Sequence, residues 1–432
     1  MVSMNIIFVI IVLIAFLFAG WQQIFFVPVQ GGPLPMETLS KAMIESAGGA
    51  VELAIGLVGV MALFLGLMKV AEAGGMLTIL ARLIRPMMVK LFPDVPPDHP
   101  AMGAMILNLA ANALGLGNAA TPFGIRAMQE LDTLNPQHGT ATNAMALFLA
   151  INTSSVTLLP TGVIALRAAA GSSDPAAILP TTLFATIGST TVAVIAAKLY
   201  GKLAPLKNNA GTDAEQTSPN NEVESRPLKD AAEGYPLWVS LSALGVLVAS
   251  IPLAVVYGRS VSPWIIPVLM VGFLVFGIVR RVRVYEVFVE GAKDGFRVAL
   301  RIIPYLVAIL VAVDMLRASG AMDAIVGILG GITGRFGLPA EALPMALMRP
   351  LSGSGAYGIL ASIINDPAIG PDSYTGYLVS TLQGSTETTF YVLAVYFGAV
   401  QVRRVRHALA AALTADVAGV IFAVLACSFF FL

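Results

Sequence analysis

The run Gln383-Gly384-Ser385-Thr386-Glu387-Thr388-Thr389 sets seven polar or tiny residues between Tyr377-Leu378-Val379 and Phe390-Tyr391-Val392-Leu393. The flanks read as a membrane span, and a carboxylate at that depth is costly. Such a stretch persists only where it faces protein, water or a ligand. Its chemistry is that of binding. Glu387 can take a proton or a cation. Gln383 offers both amide edges, and Ser385, Thr386, Thr388 and Thr389 offer hydroxyls that donate and accept. The competing reading is a structural network in which Glu387 caps a broken helix or pairs with Arg349.

Other polar groups interrupt apolar segments. Asn152, Thr153, Ser154 and Ser155 form a neutral counterpart in the first half of the chain. Asn108, Asn112 and Asn118 form a second polar group, the last two bounding the Gly-rich stretch Asn112-Ala-Leu-Gly-Leu-Gly-Asn118. Asparagine in a span is costly unless bonded, so an unwound segment is expected there, serving either ligand contact or interhelical hydrogen bonding. Arg349-Pro350-Leu351-Ser352-Gly353-Ser354 places a cation beside a flexible turn. Arg349 could pair with Glu387, grip an anionic substrate or snorkel to the interface. Asp416 sits mid-helix among Ala, Leu and Val, where a buried partner is expected, while Asp314 is close enough to a helix end to reach headgroups. Glu387, Arg349 and Asp416 are thus the coupling or charge-pair candidates.

No enzyme signature accompanies these groups. There is no Walker loop, dinucleotide fingerprint or metalloprotease helix. Ser354 has no histidine placed to activate it. Of 432 residues one is cysteine, Cys427, in an apolar terminal segment, which excludes a disulfide framework and cysteine metal sites. His99, His138 and His407 are far apart in sequence. Neither metal nor cofactor is expected, and nucleic acid is not among the expected partners.

The elements that must position these groups are membrane helices. The chain is 57% hydrophobic and 12% charged, against about 25% charged in soluble proteins. Apolar runs of spanning length, about 20 residues, occur near 4–27, 50–70, 142–167, 178–200, 236–257, 263–280, 302–318, 374–400 and 407–431. The first is read as a retained span rather than a cleaved signal, because no basic residue precedes it. Regions 100–130 and 340–365 read as broken or re-entrant helices, and 76–92 and 321–337 as interfacial ones. A hydrophilic linker over 206–234 separates two halves, 1–205 and 235–432.

The halves match in order. Ala73-Gly74-Gly75-Met76 parallels Ser319-Gly320-Ala321-Met322, Leu91-Phe92-Pro93 parallels Gly337-Leu338-Pro339, 108–112 parallels 352–356, and 152–157 parallels 384–389. Basic clusters at Arg82, Arg85 and Lys90, at Lys198, Lys202 and Lys207, at Arg280, Arg281 and Arg283, and at Arg403, Arg404 and Arg406 fall on the cytoplasmic side by the positive-inside rule. Span 50–70 then enters the first cluster and 302–318 leaves the third, so the repeats are inverted, with 236–257 supplying the inversion. Inverted repeats with broken helices are a secondary-transporter plan.

The motifs Asn-Leu-Ala-Ala-Asn-Ala-Leu-Gly-Leu-Gly-Asn at 108–118 and Ala-Ile-Asn-Thr-Ser-Ser at 150–155 resemble spore maturation protein A. Arg-Pro-Leu-Ser-Gly-Ser-Gly-Ala at 349–356 and Gln-Gly-Ser-Thr-Glu-Thr-Thr-Phe-Tyr at 383–391 resemble spore maturation protein B. The chain looks like a fusion of the two, both of the nucleoside-recognition, or gate, domain family. The resemblance implies an all-α polytopic protein of the bacterial inner membrane, similar to the core of concentrative nucleoside transporters. There a Gln-Thr-Glu element in a helical hairpin binds substrate, and Gln383, Thr386 and Glu387 look like it, with Gly384 and Ser385 between. The expected activity is non-enzymatic: movement of a small polar solute, with a proton or sodium as coupling ion and a homo-oligomer admitted. The alternative is a membrane scaffold or receptor in envelope or spore maturation.

Overall fold

The computed structural model describes residues 2–25, 34–115, 117–154, 157–203 and 234–431. These are helices and their connections, with one isolated bridge between Thr140 and Arg404. The linker expected over 206–234, apart from Gly234, lies outside the described residues, as do Ser155, Val156 and Lys207.

The first half begins with α1 (Val2–Phe25), α2 (Pro35–Ala73) and α3 (Met76–Leu91). Gly74-Gly75 turns α2 into α3 by 69°, as the interfacial reading of 76–92 requires. Next come α4 (Pro100–Ala113), α5 (Gly117–Thr133), α6 (Asn143–Ser154), α7 (Thr161–Ala169) and, after a 3-10 turn, α8 (Leu179–Leu203). The second half holds α9 (Leu237–Val279), α10 (Val284–Ala318), α11 (Ala321–Thr333), α12 (Leu343–Met348), α13 (Gly353–Ile364), α14 (Tyr374–Ser385), α15 (Thr389–Ala399) and α16 (Ala408–Phe431). After α9 the order repeats: long helix, short helix, hairpin, broken helix, terminal helix.

Among the described residues, Phe8–Phe25, Pro175–Leu203 and Ala408–Phe430 are each long and apolar enough to cross a membrane alone. One element departs from expectation. The spans read at 236–257 and 263–280 are one continuous helix, α9. Straight, its 43 residues would run about 64 Å. Yet the Tyr235 N–H donates to Arg82 O (3.1 Å) at one end, and Gly277 packs on Val70 at the other. Both ends therefore lie beside the α2–α3 corner, and α9 bends back between them.

Contacts fix the inversion. The start of α6 lies at the end of α15: the Ala141 N–H donates to Arg404 O (3.0 Å) and the Arg403 N–H to Gly139 O (2.9 Å). The end of α7 lies at the start of α14, where Arg167 reaches Pro371 O (2.6 Å). So α6–α7 and α14–α15 cross the fold in opposite directions. α4–α5 enters and leaves at the basic end, where Arg85 donates to Pro97 O (2.9 Å). α12–α13 enters and leaves at the far end, where Arg317 pairs with Asp366 (2.9 Å). Both are re-entrant hairpins. α2 and α10 run antiparallel and close: a Cβ added at Gly291 would sit 2.6 Å from Leu65 O, so this contact admits glycine alone. Lys198, Lys202 and 403–406 share one end, because Gly201 on α8 abuts His407.

Candidate functional site

Two helices stop where they meet. α14 ends at Ser385, and Thr386 and Thr388 are extended (φ −134°, ψ 161°; φ −85°, ψ 94°). A cluster of β-branched threonines favours that backbone. Ending a helix leaves its last carbonyls without partners, and distant groups supply them. The Arg349 guanidinium donates to Gln383 O (3.3 Å), to Thr386 O and to Thr388 Oγ1 (3.1 Å). It also lies 3.6 Å from Glu387. Arg349 is 5% exposed, so it does not snorkel. It caps the broken helix and, at 3.6 Å, also pairs with Glu387.

α6 ends at the same place. The Glu387 N–H donates to Thr153 O (2.9 Å). Thr186 on α8 donates to both Ser385 O (3.2 Å) and Ser154 O (3.4 Å), so one hydroxyl serves both broken helices. Two helix C-termini, each carrying partial negative charge, thus converge beside one guanidinium. Each hairpin tip is tied to the break of its own half. The Leu158 N–H donates to Ala113 O (3.0 Å) and the Phe390 N–H to Pro350 O (3.1 Å).

The first half adds an amide network. Asn112 donates to Asn152 Oδ1 (2.9 Å), which also receives the Tyr396 hydroxyl (3.4 Å). Asn108 donates to Ala120 O (2.8 Å) and to Tyr396 (3.0 Å). Tyr396 stacks on Phe148 at 6.0 Å. Asp416 accepts from Thr389 Oγ1 (2.7 Å), the buried partner its position called for. Some buried atoms have no protein partner: Gln383 Oε1, Ser385 Oγ, Asn108 Oδ1, Thr182 Oγ1 and Asp416 Oδ1.

Gln383, Ser385, Thr386, Glu387, Thr388, Asn152, Thr153, Ser154, Asn108 and Asn112 therefore share one junction with Arg349 and Asp416. Ser352 lies beside it as the N-cap of α13, accepting from the Gly355 N–H (3.0 Å). The side chains of Ser354 and Asn118 lie outside the described ones. Asp314 takes a hydrogen bond from Ser46 (2.5 Å). Residues 383–387 span the end of α14 and the extended break before α15, and the re-entrant hairpins are α4–α5 and α12–α13. Among the described residues no three His, Cys, Asp or Glu group as metal ligands.

Sequence reading missed the α8 hydroxyls Thr182, Thr186, Ser189 and Thr190, although their helical spacing puts them on one face. It also missed Tyr396, which nothing distinguishes in its apolar run. Arg167, fully buried, was missed as well. Its guanidinium lies 3.0 Å from Asp372 and 4.4 Å from the Tyr377 ring centre.

The fold and junction define a multi-pass, all-helical membrane protein of two inverted repeats. The Gate family, described as nucleoside recognition, matches residues 54–170 and 299–403, a hairpin and a broken helix in each half. The chain belongs to this family. It is 47% identical to spore maturation protein B of Bacillus subtilis over 36% of this chain and 86% of that protein. It is also 47% identical to spore maturation protein A of the same organism, over 37% and 82%. The inner membrane protein YjiG of Escherichia coli K12 is 31% identical over 24% and 64%. The structure of CNTnw in an inward-facing substrate-bound state aligns over 99% of this chain and 97% of its own at 16% identity, TM-score 0.45. The Alcanivorax borkumensis YdaH transporter aligns over 98% and 97% at 16% identity, TM-score 0.36.

Proposed function

We propose that the protein is a secondary transporter of the bacterial inner membrane that carries a small polar solute through the junction of the two broken helices. The observation that carries this reading is the set of buried polar atoms left unmatched there, Gln383 Oε1, Ser385 Oγ, Thr182 Oγ1 and Asn108 Oδ1. A buried polar atom without a partner costs about 1–3 kcal/mol, and a solute with donors and acceptors would recover that. Gln383, Ser385, Thr386, Asn152, Thr153 and Ser154 contact it in this reading, and Glu387 and Arg349 set the local charge. Half-helix ends converging at mid-depth are a recurrent substrate and ion site in transporters. The basic end faces the cytoplasm.

The test is uptake into proteoliposomes. Nucleosides come first, because the family is described as nucleoside recognition, followed by dicarboxylates, amino acids and ions. Absence of flux for every class, with monodisperse protein, overturns the reading. A second reading, a scaffold or receptor acting in envelope or spore maturation, is favoured by the names of two relatives. It expects Glu387→Gln to leave assembly and phenotype intact.

A further inference from the structure

We propose that Asp416 is a proton-binding site, and that its protonation is the coupling step of transport. The coupling rests on the transporter reading, whereas the site rests on the surroundings of α16. Asp416 is 6% exposed and sits a third of the way along α16. Oδ2 accepts from Thr389, the first residue of α15, and Oδ1 has no partner. Among the described residues no cation lies within ion-pair distance of it, whereas Glu387 is half exposed and already paired with Arg349. An ionised carboxylate at this depth is costly, and carboxylates so placed serve as proton relays. A hard metal cation would gather several oxygens. Here the Thr389 hydroxyl is committed to Asp416, and the Ser189 hydroxyl donates to Ala415 O (2.9 Å). One proton on one carboxylate oxygen is the ligand this donor set fits.

The consequence reaches the junction through one residue. Ionised, Asp416 holds the Thr389 hydroxyl as acceptor. Protonated on Oδ2, it donates to the Thr389 oxygen instead, so the bond reverses and the Thr389 hydrogen must find another acceptor at the start of α15. The preceding residue, Thr388, is the one Arg349 grips. Thr386 packs against Gly419, one turn along α16. The proton comes from and returns to water, and no covalent bond other than O–H changes.

The other titratable groups on the packed elements are few. Arg349 and Glu387 lie at the break, with Tyr391 and Tyr396 on α15 and Tyr374 and Tyr377 on α14. Lys198, Tyr200 and Lys202 lie towards the basic end of α8, Cys427 lies on α16, and α6 has none.

Infrared spectroscopy of the purified protein in lipid nanodiscs, titrated over pH, tests the site without transport. The expected result is a protonated-carboxyl band that titrates in wild type and in Glu387→Gln, moves in frequency in Thr389→Val and vanishes in Asp416→Asn. A band that survives in Asp416→Asn, or never appears in wild type, overturns the proposal. In proteoliposomes, Asp416→Asn should lose proton-driven accumulation at least tenfold yet keep solute exchange. Undiminished proton-driven accumulation overturns the coupling. The band together with no flux of any solute overturns the transporter reading and leaves the proton site standing.

Discussion

The Arg349 guanidinium donates to the backbone carbonyl of Gln383 (3.3 Å), joining the tip of one hairpin to the last turn of the helix it supports. That turn has lost its own donors because α14 stops at Ser385. The same guanidinium takes Thr388 and Thr386 O, so it acts as a cap first and an ion-pair partner second.

Removing the two partners should therefore differ in effect. Arg349→Ala leaves buried carbonyls unmatched and should destabilise the protein by about 3 kcal/mol or more. Glu387→Gln removes a half-exposed charge while Arg349 keeps its three other acceptors. Its stability should change by less than about 1 kcal/mol, while the proposed solute movement should be impaired. Thermal unfolding in detergent separates the two.

Gly115 holds the first hairpin tip in a left-handed turn (φ +75°), and an added Cβ would sit 2.6 Å from Leu159 O. Gly115→Ala is strained on both counts and should cost about 1–3 kcal/mol. Gly171, also left-handed but with open space around it, should be more tolerant under the same assay.

Asp372 gives the far end a pH dependence. Burial raises its carboxyl, but hydrogen bonds from Ser172 and Ser173 and the charge of Arg167 together hold it below the ordinary 3.8. A depressed carboxyl stabilises fully above the unfolded value and loses that contribution as pH falls through the folded one. The Tm gap between wild type and Asp372→Asn should thus be constant above about pH 5 and close as the pH drops below about 4.

Inversion predicts labelling from opposite sides. Lys90 and Glu341, the positions chosen for Lys90→Cys and Glu341→Cys, are exposed and lie near the paired corners Phe92-Pro93 and Leu338-Pro339 of the two halves. A membrane-impermeant maleimide applied to intact spheroplasts should label the second and not the first. Equal labelling would contradict the antiparallel halves.

The division at the linker is itself testable. Residues 1–205 and 235–432, coexpressed as separate chains, should copurify, because α2 packs along α10 and α8 along α16. Failure of both halves to associate would place the domain boundary elsewhere.

Much of this architecture was legible in the chain. Polar residues in an apolar background are expensive, so Asn108, Asn152, Ser352 and Glu387 betrayed the breaks, and the basic clusters betrayed the inversion. What remained hidden depends on tertiary partners. A re-entrant hairpin and a broken crossing helix share one hydrophobic pattern, so the pattern alone does not tell them apart. Thr186 went unnoticed because hydroxyls in helices commonly bond their own backbone. Arg167 stood at the end of an apolar run, where a basic residue ordinarily marks the membrane edge.

The tie between the halves at Glu387 and Thr153 is made by a peptide N–H and a peptide C=O. Every residue type except proline carries that donor. Position 387 could therefore change its side chain wholesale, acid to amide to alanine, and the two halves would stay stitched. That one bond across the seam is indifferent to the side chains at its two ends, unlike the glycine contact of α2 with α10.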